Sequence, residues 1–177
     1  MSEFRFSVSQ LLQEPTGATR YHELDDAQLV IDDMLRMEPV QGKLRLTRTP
    51  KGVLADAKLH GAVELECGRC LTLYRQPIKL EFSEEYYQTV NVNTGARLPK
   101  PEEEDAFLID ETHKLDLADA MREYVLLNLP PAPHCREDCK GLCPQCGHNL
   151  NEGPCACLPD EGDDRFAALS KLLDDSR

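Results

Sequence analysis

The chain has 177 residues and a formal net charge of −12, which allows one domain with a small attached module and argues against general nucleic-acid binding. It contains no apolar run near the ~18 residues that a membrane helix needs and no signal-peptide layout, so we expect a soluble, cytoplasmic protein without membrane contacts. The charge is uneven, with −5 over residues 1–39, +5 over 40–80 and −12 over 81–177. Contact with RNA phosphates is therefore expected only from the middle third, and DNA binding is not expected.

A long strand is the clearest predicted element. Apolar or small residues occupy every second position over residues 53–67, which is typical of a half-buried strand. A similar alternation around Leu44 is separated from it by turn residues at 49–52, so the two stretches predict a β-hairpin. Residues 71–82 continue the alternation, with an interruption predicted at Pro77. Several consecutive antiparallel strands follow from these patterns.

The second half of the chain predicts a loop and two helices. Residues 89–105 combine turn formers with an acidic run and predict a mobile loop. Residues 115–129 repeat apolar side chains at helical spacing, with Asp116 as a cap and two prolines at the end, so they predict a helix that covers the sheet. A carboxyl-terminal helix is also predicted, and its apolar face comprises Phe166, Leu169, Leu172 and Leu173.

Cysteines are concentrated in two places. Six of the eight lie within residues 134–157, and the other two form the sequence CGRC at residues 67–70. In a reducing compartment such clusters are more often metal ligands or catalytic thiols than disulfides. The sequence CPQCG at 143–147 has the spacing of a zinc knuckle, because Pro144 fixes one φ angle and Gly147 can adopt a positive one.

The four cysteine pairs predict one or two zinc ions, each held by four thiolates. One predicted set comprises Cys143, Cys146, Cys155 and Cys157, and the other comprises Cys67, Cys70, Cys135 and Cys139. Spacing alone does not fix which pairs share an ion. His134 and His148 lie beside these cysteines and are interpreted as surface or outer-shell residues, since the thiolates suffice. An iron–sulfur cluster is the alternative, but the ferredoxin spacing C-x-x-C-x-x-C is absent.

The CGRC sequence also permits a redox interpretation, because C-x-x-C thiols with a lowered pKa exchange disulfides. Such pairs usually begin at a helix amino terminus, whereas strand-like alternation flanks this pair on both sides. The sequence also lacks H-E-x-x-H, P-loop, G-x-S-x-G and GxGxxG elements. We therefore predict a protein that is not an enzyme, with a thiol–disulfide oxidoreductase acting through Cys67 and Cys70 as the alternative.

The combined motifs resemble one protein family. The segments CGRCL, LDLADAMREYVLLNLPPAPHC, CKGLCPQCGHNLNEGPCAC and DDRFAALSKLL occur in an order similar to that of the bacterial YceD-type family, the large ribosomal RNA subunit accumulation proteins. The resemblance covers about residues 61–173. It implies a role in the accumulation of large-subunit (23S) rRNA and in ribosome biogenesis. The implied partners are the large-subunit rRNA precursor or a basic large-subunit ribosomal protein.

The basic middle third supplies candidate RNA contacts. They are Lys43, Arg45, Arg69, Arg75 and Lys79. Lys43 and Arg45 are two residues apart, and Lys79 alternates with apolar neighbours, so these side chains are expected on one face of the sheet. A solvated strand face without RNA is the competing interpretation.

The predicted fold class is α+β. We expect an antiparallel β-sheet or partly closed barrel covered by a helix, with a small carboxyl-terminal cysteine-rich zinc module. The predicted domains are a β-rich core with its covering helix at 1–134, and a zinc-binding module with the carboxyl-terminal helix at 135–177. The metal is expected to stabilise a segment that cannot bury enough apolar surface to fold alone.

Overall fold

The computed structural model describes residues 4–101 and 103–157 of the chain. The elements in chain order are β1 (Arg5–Ser7), α1 (Ser9–Gln13), β2 (Thr19–Val30), β3 (Arg36–Arg48), β4 (Gly52–Glu66), β5 (Leu73–Gln88), β6 (Leu108–Ile109), β7 (Lys114–Asp116) and α2 (Ala118–Asn128). Five strands form one sheet in the order β2-β3-β4-β5-β6, and β1 pairs with β7 in a separate two-stranded sheet.

The predicted hairpin is present as β3 and β4. These strands pair antiparallel, and the turn between them is closed by a hydrogen bond from the Thr49 amide to the Gly52 carbonyl at 3.0 Å. The Thr49 hydroxyl in turn accepts the Gly52 amide at 2.9 Å. The alternation in β4 sends Ala55, Ala57 and Leu59 into the core, as a period of two requires.

Strand β5 corrects one detail of the prediction. Its antiparallel pairing with β4 runs from Tyr87 to Leu73 without a register shift, so Pro77 does not interrupt it. Proline is tolerated because it lies where β5 has no second neighbour among the described strands: β6 pairs only with Tyr87 and Gln88. Leu73 lies on the exposed face, whereas the buried side chains of β5 fall on even-numbered positions such as Leu80.

The inner face of the sheet is covered by two segments. Helix α2 buries Met121 and Val125, and the Tyr124 ring stacks on Phe82 of β5 with a centroid distance of 4.8 Å. The N-cap of α2 is Leu117 and not the predicted Asp116, which ends strand β7; the Asp116 carboxylate still accepts the Ala118 amide at 3.0 Å. The other cover is the amino-terminal segment with β1 and α1, whose buried side chains are Phe4, Val8, Leu11 and Leu12. The prediction of a helix-covered sheet is therefore confirmed in part, because a second segment shares the cover.

The sheet is not a closed barrel. Over residues 4–101 and 103–157 no pairing joins β2 to β6, and β6 runs parallel to β5, so the sheet is mixed and not purely antiparallel. The predicted carboxyl-terminal helix lies outside the described residues. No helix within the described part of the chain has the length and apolar character to cross a membrane. The predicted division between residues 134 and 135 stays a prediction.

Candidate metal centre

The first cysteine pair occupies the turn between β4 and β5. The Cys67 amide donates to the Thr72 carbonyl at 3.0 Å, and the Leu71 amide donates to the Cys67 carbonyl at 2.9 Å. These bonds curl the backbone around the sulfur, so the Arg69 amide points at Cys67 Sγ from 3.5 Å. The end of a sheet thus presents two thiols in a tight turn.

Residues after α2 bring a second pair to the same place. The Gly68 amide donates to the Pro133 carbonyl at 2.8 Å, which ties the segment leaving the helix to the turn. The Arg69 guanidinium donates to the Cys139 carbonyl at 3.3 Å. Both contacts hold the loop that carries Cys135 and Cys139 against the strand end.

Four sulfur atoms converge there in what we call the first cluster: Cys67, Cys70, Cys135 and Cys139. All four Sγ atoms lie within 4.8 Å of one another. The Cys67–Cys139 separation is 3.9 Å and the Cys70–Cys135 separation is 3.7 Å. Three of the four side chains are buried, and Cys135 is half-buried.

The second cluster comprises Cys143, Cys146, Cys155 and Cys157. Their Sγ atoms also lie within 4.8 Å of one another. An isolated β-bridge between Leu142 and Asn149 closes the loop that carries the first two. This cluster is more open to solvent, since Cys146 is exposed and Cys155 and Cys157 are half-buried. The two clusters are the same two sets of four that the sequence predicted.

The two C-x-x-C turns share one backbone geometry. The Gly147 amide donates to the Cys143 carbonyl at 2.9 Å and the Cys143 amide to the His148 carbonyl at 2.8 Å, repeating the bonds around Cys67. The residue after the second cysteine has φ of +73° at Gly147 and +58° at Leu71. Glycine adopts this left-handed conformation freely, whereas a leucine there carries strain of about 1–2 kcal/mol.

The sulfur geometry fits a tetrahedral metal ion. Zinc–sulfur bonds of ~2.3 Å in a tetrahedron separate neighbouring sulfurs by about 3.8 Å, which matches the 3.7 and 3.9 Å observed. A disulfide needs about 2.05 Å between sulfurs, and all eight cysteines are free thiols. Four thiolates favour zinc or an iron–sulfur cluster over the hard cations magnesium and calcium.

Each cluster contains at least one thiol with a lowered pKa and one with a raised pKa. Burial raises the pKa of Cys67, but hydrogen bonds from backbone amides outweigh burial and lower that pKa to about 6. Backbone amides of its own turn lower the pKa of Cys143 to about 6. Burial raises the pKa of Cys135 to about 12, and hydrogen bonds with neighbouring thiols raise that of Cys157 to about 12. Each cluster thus contains one cysteine that is already a thiolate and can bind a metal ion first. It also contains one cysteine that stays protonated until a metal ion displaces the proton.

Histidines lie outside both clusters. His134 Nδ1 lies 2.9 Å from the Ala132 carbonyl, within hydrogen-bonding distance. In the second turn, it is the backbone carbonyl of His148 that accepts a hydrogen bond, from the Cys143 amide. Neither belongs to a group of converging donors among the described residues.

The predicted RNA contacts occupy two places. Lys43, Arg45, Arg75 and Lys79 are exposed on the outer face of the sheet, opposite the covered one. Lys43 lies 3.7 Å from Glu23, and Arg45 makes two hydrogen bonds to Asp56. Arg75 donates to the backbone carbonyl of Glu38 at 2.8 Å, and this neutral acceptor does not compensate the charge of the guanidinium. Arg69 instead lies in the first cysteine turn, where its side chain binds backbone carbonyls.

One residue beside the clusters was not anticipated from the sequence. Asn151 lies between Cys146 and Cys155 in the chain, yet its Nδ2 donates to Cys139 Sγ of the first cluster at 3.4 Å. The sequence shows that Asn151 lies in a turn-rich segment, but its partner, Cys139, is twelve residues away and belongs to the other cluster. No sequence signal distinguishes it from a turn-forming asparagine.

Comparison with known proteins identifies one family. The family described as "Large ribosomal RNA subunit accumulation protein YceD" matches residues 55–173, a range that contains all eight cysteines. No solved structure matches significantly.

Three relatives illustrate the range of similarity. The chain is 32% identical over 130 residues to the uncharacterized protein Rv2926c of Mycobacterium tuberculosis, covering 73% of this chain and 60% of the relative. It is 27% identical over 175 residues to the uncharacterized protein YlbN of Bacillus subtilis, covering 96% of each. It is 28% identical over 155 residues to "Large ribosomal RNA subunit accumulation protein YCED homolog 1, chloroplastic" of Arabidopsis thaliana, covering 76% of this chain and 48% of the relative. The chain thus spans less than two thirds of the mycobacterial relative.

Proposed function

The chain belongs to the YceD family of large ribosomal RNA subunit accumulation proteins, and from this membership we propose that it is a non-enzymatic, zinc-binding factor for assembly of the large ribosomal subunit and accumulation of its 23S rRNA. The observation that carries the proposal is that the region matched by the family and the two cysteine clusters overlap. The range matched by the family contains both four-cysteine clusters, so the metal-binding part is not an appendage outside the family region.

The proposed role of zinc is structural. Each cluster supplies four thiolates, which leaves no open coordination position for a substrate or water. The first cluster fastens the segment after α2 to the end of β4 and β5, and the second closes residues 143–157 on themselves. The described cluster segments add few apolar side chains to the core, so metal binding would supply the folding energy there.

The proposed partner is the large-subunit rRNA precursor, contacted through the outer face of the sheet. Arg75 and Lys79 are the best candidates, because no acidic partner neutralises them among the described ion pairs. The acidic remainder of the chain would keep affinity for free RNA modest, so we expect binding to a pre-ribosomal particle. A basic large-subunit ribosomal protein held by the acidic surface is the other partner to test.

The alternative, a thiol–disulfide oxidoreductase using Cys67 and Cys70, has one observation in its favour. The pKa of Cys67 is lowered to about 6, as in reactive thiols. However, the Cys67 side chain is 0% exposed, and the turn lies between two strands without a helix amino terminus. A lowered pKa in a buried four-thiol cluster also suits a metal ligand, so we favour the structural role.

Metal analysis tests the zinc proposal. Protein purified under reducing conditions without chelator is expected to contain two zinc ions per chain, measured by elemental mass spectrometry against protein concentration. The matched variant Cys155→Ser with Cys157→Ser should contain one. Metal-free protein with an unchanged fold and eight titratable thiols would contradict the proposal, and turnover of a disulfide substrate by that protein would favour the oxidoreductase.

A further inference from the structure

We infer that Asn151 couples the two metal sites: metal in the second cluster holds Asn151 so that its amide N–H group stabilises Cys139, a ligand of the first cluster. The inference rests on the proposed zinc binding of both clusters and concerns how one site regulates the other. Asn151 acts through a ligand, so its role is that of a positioning residue.

The orientation of the Asn151 amide is fixed by its partners. Its Oδ1 accepts the backbone amide of Lys140 at 2.9 Å and the Arg136 guanidinium at 2.8 Å, and both of these groups can only donate. The nitrogen must therefore face the opposite way, where it donates to Cys139 Sγ at 3.4 Å and to Asn149 Oδ1 at 2.8 Å. An exchanged assignment of oxygen and nitrogen would leave two donors facing a donor.

Further hydrogen bonds attach the loop of the second cluster to that of the first. The Leu142 amide donates to the Arg69 carbonyl at 3.1 Å, inside the first C-x-x-C turn. The Leu150 amide donates to the Gly141 carbonyl at 2.9 Å. The Asn149 side chain reaches Thr72 Oγ1 at 3.4 Å, next to the start of β5. Asn151 is thus one of several residues that connect the two loops, and its side chain contacts a sulfur atom.

The chemical reason for coupling is the charge of a four-thiolate zinc site. Zn²⁺ with four thiolates carries a formal charge of −2, and an N–H donor to one sulfur disperses that charge. Asn151 can supply this bond only while its loop is ordered. The loop lies between Cys146 and Cys155, so metal bound to the second cluster closes and orders it. The conformational entropy cost of placing Asn151 beside Cys139 is then already met by metal binding.

Coupling between sites is reciprocal, so metal in the first cluster must also favour metal in the second by the same factor. Removing a hydrogen-bonding partner of a metal ligand typically lowers metal affinity by about 10- to 100-fold. We expect the two ions together to bind about 10- to 100-fold more tightly than the product of the two isolated affinities.

The test is a zinc titration against a competing chelator, using the full chain. The variant Cys155→Ser with Cys157→Ser isolates the first cluster, and Cys67→Ser with Cys70→Ser isolates the second. The expected overall affinity of the unmodified chain exceeds the product of the isolated affinities by that factor. A ratio of one would overturn the coupling while leaving zinc binding intact. An unmodified chain that takes up no zinc would instead overturn the proposed function and the coupling with it.

A substitution of Asn151 separates hydrogen bonding from loop packing. Asn151→Asp keeps the oxygen that accepts from Lys140 and Arg136, but it presents a carboxylate oxygen to Cys139 in place of the N–H group. We expect it to lower the overall zinc affinity of the otherwise unmodified chain by at least the same factor, and to have a much smaller effect where Cys155 and Cys157 are serine. Asn128→Ala, an exposed asparagine on α2, is the control. Unchanged zinc affinity in Asn151→Asp would overturn the role of Asn151 even if the isolated clusters failed to fold.

Discussion

Cys139 Sγ accepts a hydrogen bond from Asn151 Nδ2 across 3.4 Å, so a side chain of the second cluster's loop touches a sulfur atom of the first cluster. The sheet end, the segment after α2 and the second cluster are therefore joined in series. Cys67 directly follows β4, a strand with buried side chains, so this succession of contacts starts at the sheet. Loss of metal from the clusters should consequently affect the carboxyl-terminal part before it affects the sheet.

Removal of metal should loosen residues 133–157 and leave the β-sheet folded. The main apolar core contains none of the cysteines, whereas the cysteine region forms a small separate cluster. Ligand at 1,000 times its dissociation constant adds about 4 kcal/mol of stability, and that contribution disappears with a chelator. Hydrogen exchange with and without chelator measures this. Equal protection of residues 133–157 in both states would contradict a metal-dependent segment.

The two cysteine turns should respond differently to substitution at their left-handed position. Gly147→Ala places a Cβ at φ of +73° and should cost about 1 kcal/mol of unfolding free energy. Leu71→Gly removes strain at φ of +58°, while glycine gains entropy in the unfolded chain, so the two effects should nearly cancel.

Denaturant unfolding of the zinc-loaded variants checks this pair. Because the Leu71 side chain is 56% exposed, little buried area is lost on its removal. A loss of about 2 kcal/mol or more in Leu71→Gly would mean that the side chain makes contacts that outweigh its backbone strain.

Packing of α2 on the sheet should dominate the stability of the core. Met121 is fully buried, so Met121→Ala should lower the unfolding free energy by about 2–5 kcal/mol. Leu127 lies on the same helix but is 78% exposed, so Leu127→Ala should stay within about 0.5 kcal/mol of the parent. Equal losses in chemical denaturation would show that α2 does not cover the sheet in the orientation described.

Sequence patterns predicted the elements that have strict periodicity. The β3–β4 hairpin and α2 follow from alternation and helical spacing. Pair spacing identified the four cysteine pairs, but which pairs lie together depends on the fold and is seen only in the structure. Strand β2 was not predicted, because Asp25 and Asp26 break its alternation; the structure accommodates them with a register shift after Leu24 and a positive φ at Asp26. The contact between Asn151 and Cys139 depends on how two loops pack, which no local pattern encodes.

Zinc binding should strengthen as pH rises through the neutral range. In metal-free protein, the raised pKa values of about 12 mean that Cys135 and Cys157 hold protons at pH 7, and zinc must displace them. The lowered pKa values of about 6 mean that Cys67 and Cys143 are already thiolates there and become protonated only as pH falls through about 6. Calorimetry in buffers of different ionisation enthalpy counts the released protons. Binding without proton release at pH 7 would contradict this assignment.

Charge reversal on the outer face should distinguish free from paired basic residues. Arg75→Glu with Lys79→Glu should weaken binding to pre-ribosomal particles and reduce the slope of log affinity against log salt by about 0.7–0.9 per lost phosphate contact. Lys43→Glu with Arg45→Glu should have a smaller effect, because Glu23 and Asp56 already compensate those charges. Equal recovery of particles by both double variants and by the parent would favour a basic ribosomal protein as the partner.

The most direct test of the proposed function is the sedimentation profile of ribosomal particles from cells depleted of the protein. We expect a deficit of large subunits and of mature 23S rRNA, with free small subunits in excess. Re-expression of the parent chain should restore the profile, and re-expression of the variant with Cys67→Ser and Cys70→Ser should not. A profile unchanged by depletion would contradict the role in large-subunit assembly.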